Sequence, residues 1–359
     1  VKTAPAIAVL VAMGLIAGCA THRSPPRLDW IQVAPGQPGF VEARRGQPFT
    51  PWGFNYDRDF QMRLIEDFWE TEWSTVVEDF REMKALGANV VRVHLQLPRF
   101  MTAPDRPNNR ALRRLRQLLA LAEATGLYLD LTGLGCYRKA DVPAWLSALA
   151  EAERWQVQAR FWEAIARICA DSPAVFCYNL INEPFVPGQP RPPGDWLAGE
   201  LAGFYYVQAL ALDPAGRAPP EIARHWTEQM VAAIRRHDAR HLITLGFLPN
   251  SSTPFIHAVA PALDFVCVHL YPQTGKLAAA RETLRRFQVG KPVVVEETFP
   301  LHCRSEELVA FIQEESATVA GWLSFYWGQT PEELAAESTM SAAIIGGWLK
   351  QFGQTNPPQ

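Results

Sequence analysis

Cys177-Tyr178-Asn179-Leu180-Ile181-Asn182-Glu183-Pro184 is the stretch from which the rest of the chain is best read. An apolar run ends there in a carboxamide, a carboxylate and a proline, the pattern of a buried strand that delivers its functional groups at its C-terminal tip. Pro184 has no N–H for a sheet ladder and biases the residue before it toward extended backbone, so pairing is expected to stop at an extended Glu183. A second run, Lys291-Pro292-Val293-Val294-Val295-Glu296-Glu297-Thr298-Phe299, closes in the same way on glutamate. Two carboxyl groups carried on separate rigid strands are what hydrolysis of a glycosidic bond requires, one on each side of the bond.

Around these two runs the chain alternates. Strand-like runs fall near 51–55, 89–95, 127–132, 174–182, 241–247, 264–270, 292–297 and 320–326. Helical periodicity occupies 72–87, 110–126, 154–171, 220–238, 254–260, 277–289, 305–318 and 338–352. Gly87 and Gly126 stand where C-terminal caps are expected. Eight strand-then-helix units predict an α/β fold, a closed parallel (β/α)8 TIM barrel, with its chemistry at the C-terminal ends of the strands. An open doubly wound sheet is disfavoured, because no Gly-x-Gly-x-x-Gly follows an early strand. Glu183 then ends the fourth strand and Glu297 the seventh. Connections 56–71, 133–153 and 184–219 are long and rise from the same face, and the seven prolines in the last make it a stiffened excursion. Short extended pieces at 30–33 and 40–43, split by Pro35-Gly36-Gln37-Pro38-Gly39, are expected to form a hairpin over the bottom of the barrel.

A net charge of −3 gives no attraction for nucleic acid or an anionic membrane surface, and favours a neutral substrate. Lys2 followed by an apolar run over 6–16 and by small residues before Cys19 reads as a signal segment. Leu15-Ile16-Ala17-Gly18-Cys19 resembles the bacterial lipobox, which implies cleavage before Cys19 and lipid on its sulfur. The expected organisation is a signal peptide over 1–18, a tether over 19–27, the barrel over 28–352 and a tail over 353–359. It describes a monomer in the bacterial cell envelope that touches the membrane through its lipid alone. Of the other cysteines, Cys177 and Cys267 read as small buried hydrophobes. Cys136 and Cys303 fall in loops on one face, and whether they pair is left open by the sequence. No Cys-x-x-Cys or His/Cys cluster offers a metal site.

The chain resembles the clan A retaining glycoside hydrolases, most closely the cellulase and mannanase family five, over residues 50–350. The resemblance rests on Gly53-Phe54-Asn55-Tyr56, Asn89-Val90-Val91-Arg92-Val93, Asn182-Glu183-Pro184, His269-Leu270-Tyr271, Glu297 and Trp327. It implies Glu183 as general acid/base, Glu297 as nucleophile, retention of configuration by double displacement, no metal and no organic cofactor. It also implies Asn182 on the sugar 2-hydroxyl, His269 and Tyr271 bonded to the two carboxylates, and Trp327 as a stacking platform for sugar. Arg92 holds the nucleophile ionised on this view, and is otherwise a buried structural ion pair. Because side chains alternate along a strand, Glu296 and Glu297 are not expected to share the lumen, and Glu296 is expected to face outward or toward a loop cation. The family's third strand usually ends in histidine, whereas Leu129-Asp130-Leu131-Thr132-Gly133-Leu134-Gly135 has none; His94, on the face of Arg92, is expected to take part of that space. The substrate implied is an oligo- or polysaccharide of β-mannan or β-glucan type, and the long loops favour short chains or chain ends. The rival reading is an inactive carbohydrate-binding lipoprotein on the same barrel, which would be expected to lose one carboxylate.

Overall fold

The computed structural model describes residues 28–325 and 327–355. Cys19, the signal segment, most of the tether and residues 356–359 lie outside them. Eight parallel strands close into a barrel: β1 (Trp52–Tyr56), β2 (Val90–Gln96), β3 (Tyr128–Gly135), β4 (Val175–Asn182), β5 (Leu242–Phe247), β6 (Val266–His269), β7 (Val293–Thr298) and β8 (Gly321–Ser324). Each pairs with its neighbours in sequence, and β8 closes on β1, with Trp322 opposite Trp52. The eighth strand stops at Ser324, short of the expected 326, and the other strands lie within three residues of expectation.

The main helices are α1 (Trp73–Ala85), α2 (Asn109–Thr125), α3 (Glu151–Cys169), α4 (Pro219–Arg235), α5 (Ile256–Val259), α6 (Leu277–Phe287), α7 (Ser305–Glu314) and α8 (Met340–Gln354). Gly126 caps α2 in the left-handed region at φ 72°, where a side chain would be strained. The last helix covers the seam of the barrel, stacking Phe352 on Trp52 at 4.1 Å between ring centres. Burial of such a side chain stabilises the fold by roughly 1.5–3 kcal/mol.

Alternation sets the two faces of each strand. In β2, Val91 and Val93 pack outward while Arg92 and His94 turn into the lumen; in β3, Leu129 and Leu131 pack outward while Asp130 and Thr132 turn in. All eight side chains are buried. The lumen below the rim is therefore polar, and its groups have to satisfy one another.

An antiparallel sheet of Ile31–Val33, Phe40–Glu42 and Pro48–Phe49 closes the opposite end. Phe40 meets Phe176 and Phe265 edge-on at 5.2 and 5.1 Å, and Phe49 meets Tyr128 at 5.0 Å, all at the starts of barrel strands. The expected floor is present. The excursion at 184–219 is more ordered than its prolines imply. Pro184–Phe185 runs parallel to Phe204–Ala209, which pairs antiparallel with Leu197–Leu201. The hairpin turns on Ala202 and Gly203, both at positive φ (53° and 84°), as a tight two-residue turn demands. Cys136 and Cys303 are free thiols, and no disulfide forms among the described residues.

Candidate active site

Arg92 is the hub. Its guanidinium is fully buried and forks across the top of the lumen. Nη1 donates to Glu297 Oε1 and, at 2.8 Å, to Asn55 Oδ1; Nη2 donates to Asn182 Oδ1 at 2.7 Å; Nε donates to Thr132 Oγ1 at 2.8 Å. Tyr271 donates to the other carboxylate oxygen, Glu297 Oε2, at 2.9 Å. Burial, and after it the charge of Glu297, hold the Tyr271 hydroxyl far above its ordinary range, so it stays a donor. Asn182 uses both ends of its amide, since Nδ2 donates to Tyr206 O at 3.1 Å.

His269 sits among three carboxylates. Nδ1 lies 2.8 Å from Glu183 Oε1 and 3.4 Å from Glu297 Oε2, and Nε2 lies 3.2 Å from Glu296 Oε2. Burial works against a charged ring, but Glu297, Glu183 and Glu296 together push its pKa up to about 10. The carboxylates favour the charged ring, and both ring nitrogens have a carboxylate partner. One oxygen each of Glu183 and Glu297 and a ring nitrogen of His269 lie within 4.8 Å of one another.

Glu183 departs from the expected backbone. It lies at φ 45°, in the left-handed region that non-glycine residues avoid, rather than extended. Its N–H donates to Gly246 O at 2.9 Å, and its carbonyl accepts from the Gln208 N–H at 3.4 Å. These bonds to β5 and to the hairpin override the preference that Pro184 imposes. Strain of this kind persists where the surroundings over-determine it, as at functional sites.

Glu296 corrects a second expectation. Its carboxylate faces inward and is fully buried, accepting from Asn179 Nδ2 and His269 Nε2, with Arg92 Nη2 at 3.4 Å. The reason is a bulge. Val295 pairs with Val268 and Trp322, yet Glu297 pairs with the next residue on β6 and Thr298 with Ser324, so β7 carries one residue more than either neighbour. Strict alternation is broken there, and both glutamates turn in, Glu296 below and Glu297 above. Asp130 and Cys267 complete the lower layer, with Asp130 and Glu296 oxygens within 4.8 Å. Burial would raise Glu296, but Arg92 and His269 outweigh it and hold it low. Burial and then Glu296 drive Asp130 far up. The two shifts run in opposite directions, Asp130 toward its neutral form and Glu296 toward its charged one.

Gly246 makes room for this assembly. A Cβ there would come within 3.1 Å of Glu296 Oε2 and 3.2 Å of both Arg92 Nη2 and His269 Nε2. Its N–H also donates to Asn179 Oδ1 at 2.9 Å.

His94 turns into the lumen beside Arg92, with Nδ1 2.5 Å from the Tyr137 hydroxyl and Nε2 3.4 Å from Asn55 Oδ1. Burial and Arg92 keep it neutral. Trp327 is placed otherwise than expected. Its indole has no exposed surface and packs on Phe54 at 5.5 Å, because the strand has already ended and the main chain turns down to bond Asn55 O. Glu183, Glu297, Arg92, Asn182, His269 and Tyr271 thus converge and Trp327 does not offer a free face. Sequence reasoning missed Asn55, Thr132 and Asn179, although polar residues at lumen-facing positions of apolar strands were a usable signal. Tyr137 and Tyr206 carried none.

The barrel thus brings two glutamates together at the tips of β4 and β7, the places from which (β/α)8 barrels present their chemistry. The chain belongs to glycosyl hydrolase family 5: residues 51–324 match the family described as Cellulase (glycosyl hydrolase family 5). It is 23% identical over 250 residues to mannan endo-1,4-β-mannosidase A of Emericella nidulans, covering 61% of this chain and 57% of that one. The chain thus spans little more than half the length of this curated relative. In fold it is similar to an exo-β-1,4-mannosidase from an Opitutaceae bacterium (TM-score 0.65, 17% identity, 89% of this chain and 61% of that one). It is likewise similar to the β-1,4-mannanase of the sea hare Aplysia kurodai (TM-score 0.60, 14% identity, 89% and 96%).

Proposed function

We propose that the protein hydrolyses β-mannosidic bonds by double displacement, with Glu297 as nucleophile and Glu183 as general acid/base. The observation that carries the reading is the meeting of Glu183, His269 and Glu297 oxygens and nitrogen inside 4.8 Å. Retaining enzymes hold their carboxyl groups about 5–5.5 Å apart, too close for a water between sugar and base. The choice of mannan over glucan is supported by the mannosidase and mannanase names among the relatives.

In the first step a Glu297 oxygen forms a bond to the anomeric carbon as the bond to the leaving oxygen breaks, and Glu183 gives that oxygen its proton. Arg92 and Tyr271 hold one nucleophile oxygen each, which fixes the carboxylate in line for attack. In the second step Glu183 takes a proton from water as the water oxygen displaces Glu297. His269 donates to Glu183 throughout and orients it.

Substitution to alanine with added azide tests the assignment. Glu297→Ala should lose about 10³-fold or more in kcat, and azide should enter from the vacated face to give the glycosyl azide of inverted configuration. Glu183→Ala should keep hydrolysing activated aryl glycosides slowly, and azide should give the retained product. The reverse pairing of products would exchange the two roles; full activity in either variant would end the proposal.

A further inference from the structure

Arg154, in the first turn of α3, is a buried cation without a countercharge. It is 2% exposed, and no carboxylate pairs with it among the described residues. Nη1 donates to Leu146 O at 3.0 Å, and the guanidinium lies 4.5 Å from the ring centre of Trp196, in the excursion after β4. The face of the indole eases the charge but supplies no acceptor, and Arg154 Nε has no hydrogen-bond partner. The Cys136 thiol lies beside the same guanidinium, yet burial pushes its pKa up to about 11, so it stays neutral and does not answer the charge.

Trp196 brings a second unused donor. Its indole is 2% exposed, and Nε1 has no partner. Both side chains line one cavity between the connection after β3, the start of α3 and the excursion, with room of about 20 Å³ for the centre of a water-sized occupant. Lys139 and Ser147 line it from the connection after β3. Asp195 is the acidic group on its wall, and its Oδ2 is held by Arg191 Nη2 at 2.8 Å. Ser147, Gly194 and Trp196 also border an open groove of about 970 Å³, so the cavity has a way in from solvent. Two buried donors and two cations around so small a space call for an occupant that accepts hydrogen bonds and carries negative charge. Water accepts too, but leaves the guanidinium's charge unanswered; phosphate, sulfate and carboxylate groups are too large for a space of one water.

We propose that this cavity binds a chloride-sized monovalent anion between Arg154 and the Trp196 indole N–H, and that the anion fastens the excursion to the barrel. Trp196 O accepts the Ala209 N–H at 2.8 Å, and the neighbouring Gln208 N–H reaches Glu183 O at 3.4 Å, so what holds Trp196 also holds the strand that bonds Glu183. Crystals of the protein soaked in sodium bromide are expected to show an anomalous peak in the cavity, between Arg154 and Trp196. In solution, replacing gluconate by chloride at constant ionic strength is expected to raise the wild-type melting temperature by about 2–4 °C, with bromide acting alike. Arg154→Gln is expected to lose both the peak and the chloride response. Trp196→Phe keeps a ring and removes the N–H, and is expected to need about tenfold more chloride for the same rise. Should Arg154→Gln fail to fold, the wild-type bromide peak and Trp196→Phe decide. Bromide bound at the protein surface alone, a melting temperature indifferent to chloride, or a chloride response left unchanged by Arg154→Gln or Trp196→Phe overturns the site.

Discussion

His269 Nδ1 lies 2.8 Å from Glu183 Oε1, so the carboxyl group assigned to proton transfer is bonded to a ring that keeps its charge up to about pH 10. A histidine pKa raised in the folded state adds stability that is complete below the unfolded value, about 6.5, and is lost as pH rises through the folded value. The melting temperature of the wild type is therefore expected to fall between about pH 6.5 and 10. His269→Gln should flatten that part of the profile and lower kcat about 100-fold. A variant whose profile still falls in parallel with the wild type would remove His269 as the origin.

Asp130 is pushed toward its neutral form and Glu296 toward its charged one, so the two residues should respond unequally to loss of charge. Glu296→Gln leaves Arg92 and His269 with less countercharge in a buried layer, and breaking a buried pair in this way costs about 3–5 kcal/mol. Asp130→Asn replaces a carboxyl group that burial and Glu296 push toward its neutral form, and should cost far less. Urea denaturation of both variants measures the difference, and equal costs would contradict these opposite shifts.

Tyr271→Phe removes the donor to Glu297 Oε2 and nothing else in the carboxylate's shell. Hydrogen bonds to charged groups contribute about 1.5–3 kcal/mol, so kcat should drop roughly 10- to 100-fold. The loss should appear in the step that forms the glycosyl–enzyme bond, read as a smaller burst of nitrophenol in rapid-mixing kinetics.

The lipobox-like run ending in Cys19 leads us to propose a lipid anchor. Expressed with its leader in a bacterial host, the wild type should sediment with membranes and take up radiolabelled palmitate, and Cys19→Ser should do neither. Recovery of the unsubstituted protein as an unlabelled soluble species would dispose of the idea.

The barrel was legible because its signals are local. Apolar runs such as Val293-Val294-Val295, glycines at helix ends and the regular spacing of the units each declare one element, and eight in succession leave few architectures. Glu183 and Glu297 were legible for the same reason, as charged groups at the ends of apolar strands. The inward turn of Glu296 was not, since it depends on one residue more in β7 than β6 and β8 provide, a property of three strands together. The left-handed backbone of Glu183 is likewise set by Gly246 and Gln208, far away in sequence. The hairpin could have been found: Leu201-Ala202-Gly203-Phe204-Tyr205-Tyr206-Val207 has a turn followed by aromatic and β-branched residues, and the prolines around it masked the pattern.

Both carboxylates and their partners Arg92, Tyr271 and His269 come from barrel strands or the residues directly following them, whereas the hairpin of 197–209 hangs from β4 by a single extension at Pro184–Phe185. The excursion nevertheless reaches both carboxylates, through the Gln208 N–H on Glu183 O and through Tyr206 O on the Asn182 amide that meets Arg92. A lineage that reshaped residues 186–218 would therefore have to keep those two bonds, and on the proposed reading the outer turn around Ala202 and Gly203 is the part free to vary. A loop grafted between Leu201 and Phe204 would leave both bonds in place.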